Sequence, residues 1–261
     1  MELYNKYRQL KALFEQMDGA IIAYSGGVDS TLVLKAGLDV IPRRIIPVMI
    51  FSDAQPLIQW QRASAVAHHL GTRLFCLHLD PLSLPQVQAN NNRRCYFCKK
   101  LIFENLRKLA HLLNIRNILE GTNADDLRRY RPGKDCLIEL NIRSPLVETN
   151  WSSPQIRKML ELLHIPNWNT PSQSCLITRI PYGQKLTAQR MWRVEQAEEY
   201  IRSLGIEVVR VRDHDQLARI EILRDDFNKV LQYQIYSEIN TDLKKIGYSY
   251  VTVDLQPYHP G

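Results

Sequence analysis

Apolar and polar positions along the first hundred residues alternate between two periods. Residues 2–17 place Leu3, Tyr7, Leu10, Leu13 and Phe14 three or four positions apart, the spacing of one helical face. AIIAY (20–24) is a continuous apolar run that stops at SGG, the pattern of a strand buried on both faces of a parallel sheet. VDSTLVLKAGL then returns to the helical period. The exchange recurs as strand IIPVMIF (45–51), helix QPLIQWQRASAVAHHL (55–70) and strand RLFCLHL (73–79). After the loop DPLSLPQVQANNN come a long helix, CYFCKKLIFENLRKLAHLL, and a strand, NILEG (117–121). Strands alternating with helices over this length predict an α/β fold, a doubly wound parallel sheet with helices on both faces, for residues 1–165.

The pattern changes after residue 165. HIPNWNTPSQSCLITRIPYGQKLT is rich in Pro, Asn, Ser and Thr without a period, and predicts a connecting loop over 166–186. Residues 187–261 then predict a smaller α+β domain. It contains helix 187–204, strands EVVRVRD (207–213) and ARIEIL (218–223), helical segments across 225–246 and strand YSYVTVDL (248–255), mostly antiparallel.

Composition narrows the picture modestly. At 261 residues with 45% hydrophobic and 23% charged side chains, the chain is an ordinary protein with a sizeable core. The longest apolar runs fall far below the ~20 residues that span a bilayer, and MELYNKYRQLKALFEQM is not a signal peptide. Five cysteines are too few for a disulfide scaffold, so the expected compartment is the reducing cytoplasm. A net charge of +7 favours anionic partners, although a solvated basic surface produces the same number.

The candidate chemistry starts at AYSGGVDST (23–31). A buried strand runs into Ser25, Gly26 and Gly27, and a helix begins near Asp29 and Ser30. Two glycines permit a tight turn with open N–H groups around a phosphate, and the helix N-terminus adds partial positive charge. Ser25 and Ser30 offer hydroxyls, and Asp29 a carboxylate for magnesium. Neither GxxxxGK[ST] nor GxGxxG is present. SGGVDS after the first strand resembles the PP-loop ATP pyrophosphatases. That resemblance implies cleavage of ATP between the α and β phosphates and adenylation of a substrate oxygen. EGTNADD (120–126) follows another strand, so Gly121, Asn123 and Asp125 are further candidates at the same sheet edge, although an Asn/Asp helix cap reads similarly.

RRCYFCKK (93–100) carries Cys95 and Cys98, and the other cysteines are Cys76, Cys136 and Cys175. One CxxC does not complete a closed zinc site, and a redox dithiol needs a thioredoxin-like setting. Within the PP-loop class, sulfur ligands point to replacement of the activated oxygen by sulfur.

SGGVDST, RCYFCKK, GTNADDLRRYRPG, SPL, PSQSCLITRIPYG, YIRSLG and VRVRDHDQLARIE, in this order, resemble the LarE family over about residues 10–255. These are ATP-dependent sulfur transferases of nickel-pincer cofactor biosynthesis. The resemblance implies adenylation of a carboxylate on a pyridinium dicarboxylate mononucleotide, then displacement of AMP by sulfur to leave a thiocarboxylate. It also implies ATP and Mg2+ at Ser25, Gly26, Gly27, Asp29, Ser30, Gly121 and Asp125, with Asp29, Ser30 and Cys175 catalytic. Two sulfur sources occur in the family. Either a cysteine in the loop before RxPYG is sacrificed, here Cys175, or three cysteines hold a [4Fe–4S] cluster that carries sulfide. Cys95, Cys98 and Cys175 match the second pattern.

The same resemblance makes Thr178, Arg179, Glu198, Arg210 and Arg212 the substrate ligands. Arg210 and Arg212 alternate on one strand and share a face, where with Arg179 they suit an anionic nucleotide. A solvated polar sheet face is the plain alternative. RRYR (128–131) is read as a contact to pyrophosphate or a partner subunit. Cys76 and Cys136 are read as structural, and His68, His69 and His78 lack a metal-ligand context. Hexamers in the family imply a homo-oligomer. The expected partners are the nucleotide-like substrate and sulfide or another sulfur donor, without membrane or nucleic acid. A tRNA thiolase of the same class is the competing enzyme, although paired zinc ribbons and a separate RNA-binding domain are missing. A non-catalytic nucleotide sensor is the competing binding protein, and an intact Asp29 and Ser30 argue against it.

Overall fold

The computed structural model describes residues 1–127 and 133–258, apart from the side chain of Lys134. RRYR at 128–131 therefore lies outside the described residues. The strands are β1 (Ala20–Ala23), β2 (Ile45–Phe51), β3 (Phe75–His78), β4 (Asn117–Leu119), β5 (Val209–His214), β6 (Leu217–Ile222) and β7 (Tyr250–Val253). Between them lie α1 (Glu2–Glu15), α2 (Val28–Val40), α3 (Leu57–His69), α4 (Pro85–Gln88), α5 (Arg94–Leu112) and α6 (Ala124–Leu127). There follow α7 (Lys134–Glu139), α8 (Pro145–Glu148), α9 (Ser153–Leu162), α10 (Ala188–Ser203), α11 (Phe227–Val230) and α12 (Tyr233–Ile246).

Two compact units result. Met1–Ser52, Leu57–Pro81 and Arg93–Gln173 form the first, and Asp53–Pro56, Leu82–Asn92 and Ser174–Gly261 the second. The first unit is built on a four-stranded sheet of order β3-β2-β1-β4, parallel throughout. Strand alternation sorts its core into two layers. Ala20, Ile22 and Met49 join Leu10 and Phe14 of α1, Leu32 of α2 and Ile156 of α9 on one face. Ile21, Val48, Ile50 and Ile118 meet Phe103 and Leu106 of α5 and Leu137 of α7 on the other. Burying each such side chain contributes roughly 1.5–3 kcal/mol, which is why a continuous apolar run is required at β1 and β2. After β3 the chain returns to place β4 on the far side of β1. The strand order thus reverses between β1 and β4, the position at which open parallel sheets generally bind ligands beyond the carboxyl ends of their strands.

The second unit takes in two short segments from the N-terminal half through backbone hydrogen bonds. Leu176 N–H donates to the Ala54 carbonyl (2.8 Å), Gly183 to Asn90 (3.0 Å) and Leu186 to Gln88 (3.0 Å). Buried Asn90, at φ 53°, also donates through Nδ2 to the carbonyls of Pro181 (2.7 Å) and Gln184 (2.9 Å), which fixes the RIPYG turn. Its sheet has the order β5-β6-β7, with β5 antiparallel to β6 but β6 parallel to β7. The expectation of mostly antiparallel strands is corrected accordingly. α11 and α12 carry the chain back along the sheet between β6 and β7, and such a helical crossover delivers the next strand parallel. Among the described residues, no helix is long and apolar enough to cross a membrane.

Candidate functional site

In the first unit, β1 delivers the chain into Ser25-Gly26-Gly27, and α2 starts at once with Gly27 as its N-cap. Gly26 has φ +75°, and a Cβ there would lie 2.6 Å from the Ala63 Cβ, so no other residue fits the turn. Ser30 is buried, and its Oγ donates to the Gly27 carbonyl (3.2 Å) and lies 3.1 Å from Ser25 Oγ. Ser30 therefore braces the loop, whereas Ser25 and Gly27 are exposed. Two side chains absent from the sequence reading also reach this loop. Gln59 Nε2 donates to the Ser25 carbonyl (3.0 Å), and Asn167 Nδ2 donates to the Gly26 carbonyl (3.0 Å) and Thr31 Oγ1 (2.9 Å). No sequence signal marks either, since both are remote in the chain and lie in no motif.

The loop after β4 meets this turn directly. A Cβ on Gly121 would sit 2.8 Å from the Ser30 amide nitrogen, so glycine is required for the close approach. Asn123 is buried and caps α6, its Oδ1 accepting from the Asp125 (2.9 Å) and Asp126 (3.2 Å) amides. Its Nδ2 donates to Asp29 Oδ1 (3.0 Å) and to Ser153 Oγ (3.1 Å). Asp125 Oδ2 accepts from the Ser153 amide (2.8 Å) and so caps α9. Asn123 is thus the residue that ties the two motifs together. Burial raises the Asp29 pKa to about 6; the Asn123 bond opposes this, nearby Asp126 adds to it, and the Arg157 charge opposes it. Among the described residues, no salt bridge within 4 Å is made by this carboxylate, and its one side-chain hydrogen bond to Asn123 is supplemented only by the more distant Arg157 charge.

Cys95 and Cys98 lie in the first two turns of α5, half-buried and three residues apart, hence on one helical face. The Arg93 guanidinium lies over the rings of Tyr96 (5.0 Å) and Phe97 (5.5 Å) beside them. Cys136 is fully buried in the core, and burial pushes its thiol pKa up, as expected of a structural cysteine. Cys76 is not a core residue. Edge strand β3 leaves it exposed, where its sulfur accepts from Trp60 Nε1 at 3.1 Å. No disulfide links the five cysteines. Cys95 and Cys98 belong to the first unit and Cys175 to the second, and among the described residues no group of three or more His, Cys, Asp or Glu forms a metal site.

In the second unit the remaining candidates come together. Cys175, half-buried, precedes a short 3-10 turn, Leu176–Arg179. Its carbonyl accepts from the Thr178 hydroxyl (2.8 Å) and Arg179 Nη1 (3.0 Å). Arg179 and Glu198 are both completely buried and form a two-point pair, Nε to Oε1 at 2.8 Å and Nη2 to Oε2 at 3.1 Å. Nη1 also donates to the Ser174 carbonyl (2.9 Å). Arg179 therefore holds the cysteine loop from beneath. Glu198 accepts in addition from Arg202 (2.8 Å) and the Val211 amide (3.1 Å).

Arg210 and Arg212 do share a face of β5, opposite Glu221 and Arg219 of β6. Arg210 is buried 5.0 Å from the Tyr258 ring, and burial, with the nearby Arg179 charge, lowers its pKa. Arg212 keeps 26% of its side chain exposed, pairs with both Glu221 oxygens (2.9 and 2.8 Å) and donates to the Thr178 carbonyl (2.8 Å). Glu198 thus accepts from both Arg179 and Arg202, and its charge also acts on Arg210.

The fold and site define an α/β protein with a glycine-rich strand-to-helix turn and a half-buried acid at the reversal of a parallel sheet. No protein-family model matches the chain. It is 33% identical over 260 residues to the pyridinium-3,5-bisthiocarboxylic acid mononucleotide synthase of Lactiplantibacillus plantarum, covering 99% of this chain and 94% of that protein. The chain belongs to that protein's family. An uncharacterized protein of Synechocystis is 38% identical over 259 residues (99% of this chain, 97% of the relative). Another from Methanocaldococcus jannaschii is 31% identical over 239 residues (91% and 90%).

Proposed function

We propose that the chain is an ATP-dependent sulfur transferase that converts a carboxylate of a pyridinium dicarboxylate mononucleotide into a thiocarboxylate. The name of the Lactiplantibacillus relative supports the product class. A carboxylate oxygen is a poor leaving group, so its replacement by sulfur requires activation. The carboxylate oxygen attacks the α-phosphorus of ATP, the bond to the β-phosphate oxygen breaks, and pyrophosphate leaves. Sulfide sulfur then attacks the acyl carbon, and AMP departs with the original oxygen.

The observation that carries this reading is the turn at Gly26-Gly27 with Asp29 held by Asn123 at the sheet reversal. Its N–H groups and the α2 N-terminus suit phosphates. Asp29, whose burial disfavours an uncompensated charge, would hold Mg2+, which supplies neutralisation of the phosphate oxygens. Arg210 and Arg212 would meet the substrate's phosphate and carboxylates, while Arg179 keeps the Cys175 loop in place. Cys95, Cys98 and Cys175 would supply the three thiolates of a [4Fe–4S] cluster, a reading that rests on their number and donor type. Such a cluster would supply an open iron for sulfide. The chain would work as a homo-oligomer in a reducing cytoplasm.

The test is product analysis. MgATP, the pyridinium dicarboxylate mononucleotide and sulfide under anaerobic conditions should give AMP and pyrophosphate in equal amounts, and Asp29→Ala should abolish both. Formation of ADP and phosphate instead would overturn the reading.

A further inference from the structure

The three carbonyls of the glycine-rich turn are all engaged by the protein. Gln59 Nε2 holds Ser25 C=O at 3.0 Å, Asn167 Nδ2 holds Gly26 C=O at 3.0 Å, and Gly27 C=O accepts from Ser30 Oγ (3.2 Å) and the Thr31 amide (3.0 Å). In a trans peptide the carbonyl and the following N–H point in opposite directions, and among the described residues no peptide is cis. Turning a carbonyl inward therefore turns the next N–H outward. The first two clamps act on the peptides that carry the Gly26 and Gly27 N–H groups; the Gly27 N–H here donates to the exposed Ser25 hydroxyl at 3.3 Å, a long bond that a phosphate oxygen would replace. Glycine flanks the Gly26–Gly27 peptide on both sides and the Ser25–Gly26 peptide on one, so these planes have little steric restraint of their own.

Asn167 is suited to this role. It is 5% exposed, and its Nδ2 faces two oxygens, the Gly26 carbonyl and Thr31 Oγ1, while its Oδ1 has no hydrogen-bond partner among the described residues. A carbonyl can only accept, so the amide orientation is set, with all of its hydrogen bonding directed at the turn and the start of α2. Ile165, buried in the core two residues earlier, and the bond from the Thr170 amide to the Asn167 carbonyl (3.0 Å) anchor it. Gln59 reaches Ser25 from the first turn of α3, the helix whose Ala63 forces glycine at position 26.

We propose that Asn167 and Gln59 are positioning residues for polyphosphate binding: by holding the Gly26 and Ser25 carbonyls they aim the Gly27 and Gly26 N–H groups at the ligand. The proposal rests on the ATP reading above and deepens it. Neither side chain touches the phosphates, and each acts through one peptide plane.

The experiment is isothermal titration with MgATP and with adenosine on the full chain, beside a thermal melt. Loss of an aimed N–H to an anionic oxygen should weaken MgATP about tenfold or more in Asn167→Ala, and about three- to tenfold in Gln59→Ala. Adenosine, which has no phosphate, should bind both variants as it binds the wild type. A purely structural role would lower the melting temperature while leaving both ligands bound as before, and that result would overturn the proposal. Equal weakening of MgATP and adenosine would overturn it as well. Gln59 is half-buried, so Gln59→Ala decides the matter even if Asn167→Ala does not fold. A wild-type chain that binds no MgATP would overturn the ATP reading instead, before any variant is tested.

Discussion

Asp29 offers a prediction in which stability and function move in opposite directions. Burial raises its pKa from 3.8 to about 6 in the fold. A rise of about two at 1.36 kcal/mol each is roughly 3 kcal/mol by which the charged form is disfavoured. Because the folded pKa is the higher one, the contribution to stability is fully present below pH 3.8. It is lost as pH rises through 6. Asp29→Asn keeps an Oδ1 that can accept from Asn123 Nδ2, now at 3.0 Å, and removes the buried charge. In EDTA, the variant should exceed the wild type by about 3 kcal/mol at pH 8, by roughly half that at pH 5 and by less than 1 kcal/mol at pH 4. Urea unfolding followed by tryptophan fluorescence measures this, with fully buried Trp151 as the reporter for the first unit. The same variant should fail to bind MgATP, whose affinity for the wild type should rise as pH increases through about 6. A variant less stable than wild type at pH 8, or a difference that stays flat from pH 4 to 8, would refute the reasoning.

Three further outcomes are expected. Arg179→Ala leaves Glu198 buried with Arg202 and the Val211 amide, and should cost about 3–5 kcal/mol in chemical unfolding, with little recovery in Arg179→Lys, which cannot make the two-point pair; a loss below about 1 kcal/mol would count against the pair's role. Arg212→Ala should weaken the pyridinium mononucleotide by about one to two orders of magnitude in a binding titration, with MgATP unchanged, because the glycine-rich turn belongs to the first unit and Arg212 to the second; equal loss of both ligands would make Arg212 structural. Anaerobically prepared Cys95→Ala, Cys98→Ala and Cys175→Ala should each lose iron and acid-labile sulfide, while Cys76→Ala and Cys136→Ala keep them. With added sulfide the wild type should then turn over more than once and Cys175 should keep its full mass, whereas one turnover with dehydroalanine at 175 would make Cys175 the sulfur donor.

Much of the architecture was legible along the chain because its signals are local. IIPVMIF forms β2 over all seven residues, a short β-branched-rich apolar run of the length and composition of a strand covered on both faces. The glycine-rich turn and the start of α2 fall where SGGVDS places them, because Gly26 and the helix N-terminus are features of a few adjacent residues. The alternation of Arg210 and Arg212 follows from the two-residue period of a strand. The direction of β7 was not legible. It depends on the return path of α11 and α12, and strand composition does not encode direction. Nor was the exposure of Cys76, whose apolar strand lies at a sheet edge, a position that only the strand order assigns. Folding also decided what the site residues do. Asn123 reaches across 94 positions to Asp29 and Asn167 across 141 to Gly26. Arg179 meets Glu198 only once α10 has packed on its sheet. Residue type and local period specify which groups can form a turn or a strand, but a hydrogen bond between distant side chains exists only after the core has closed around both.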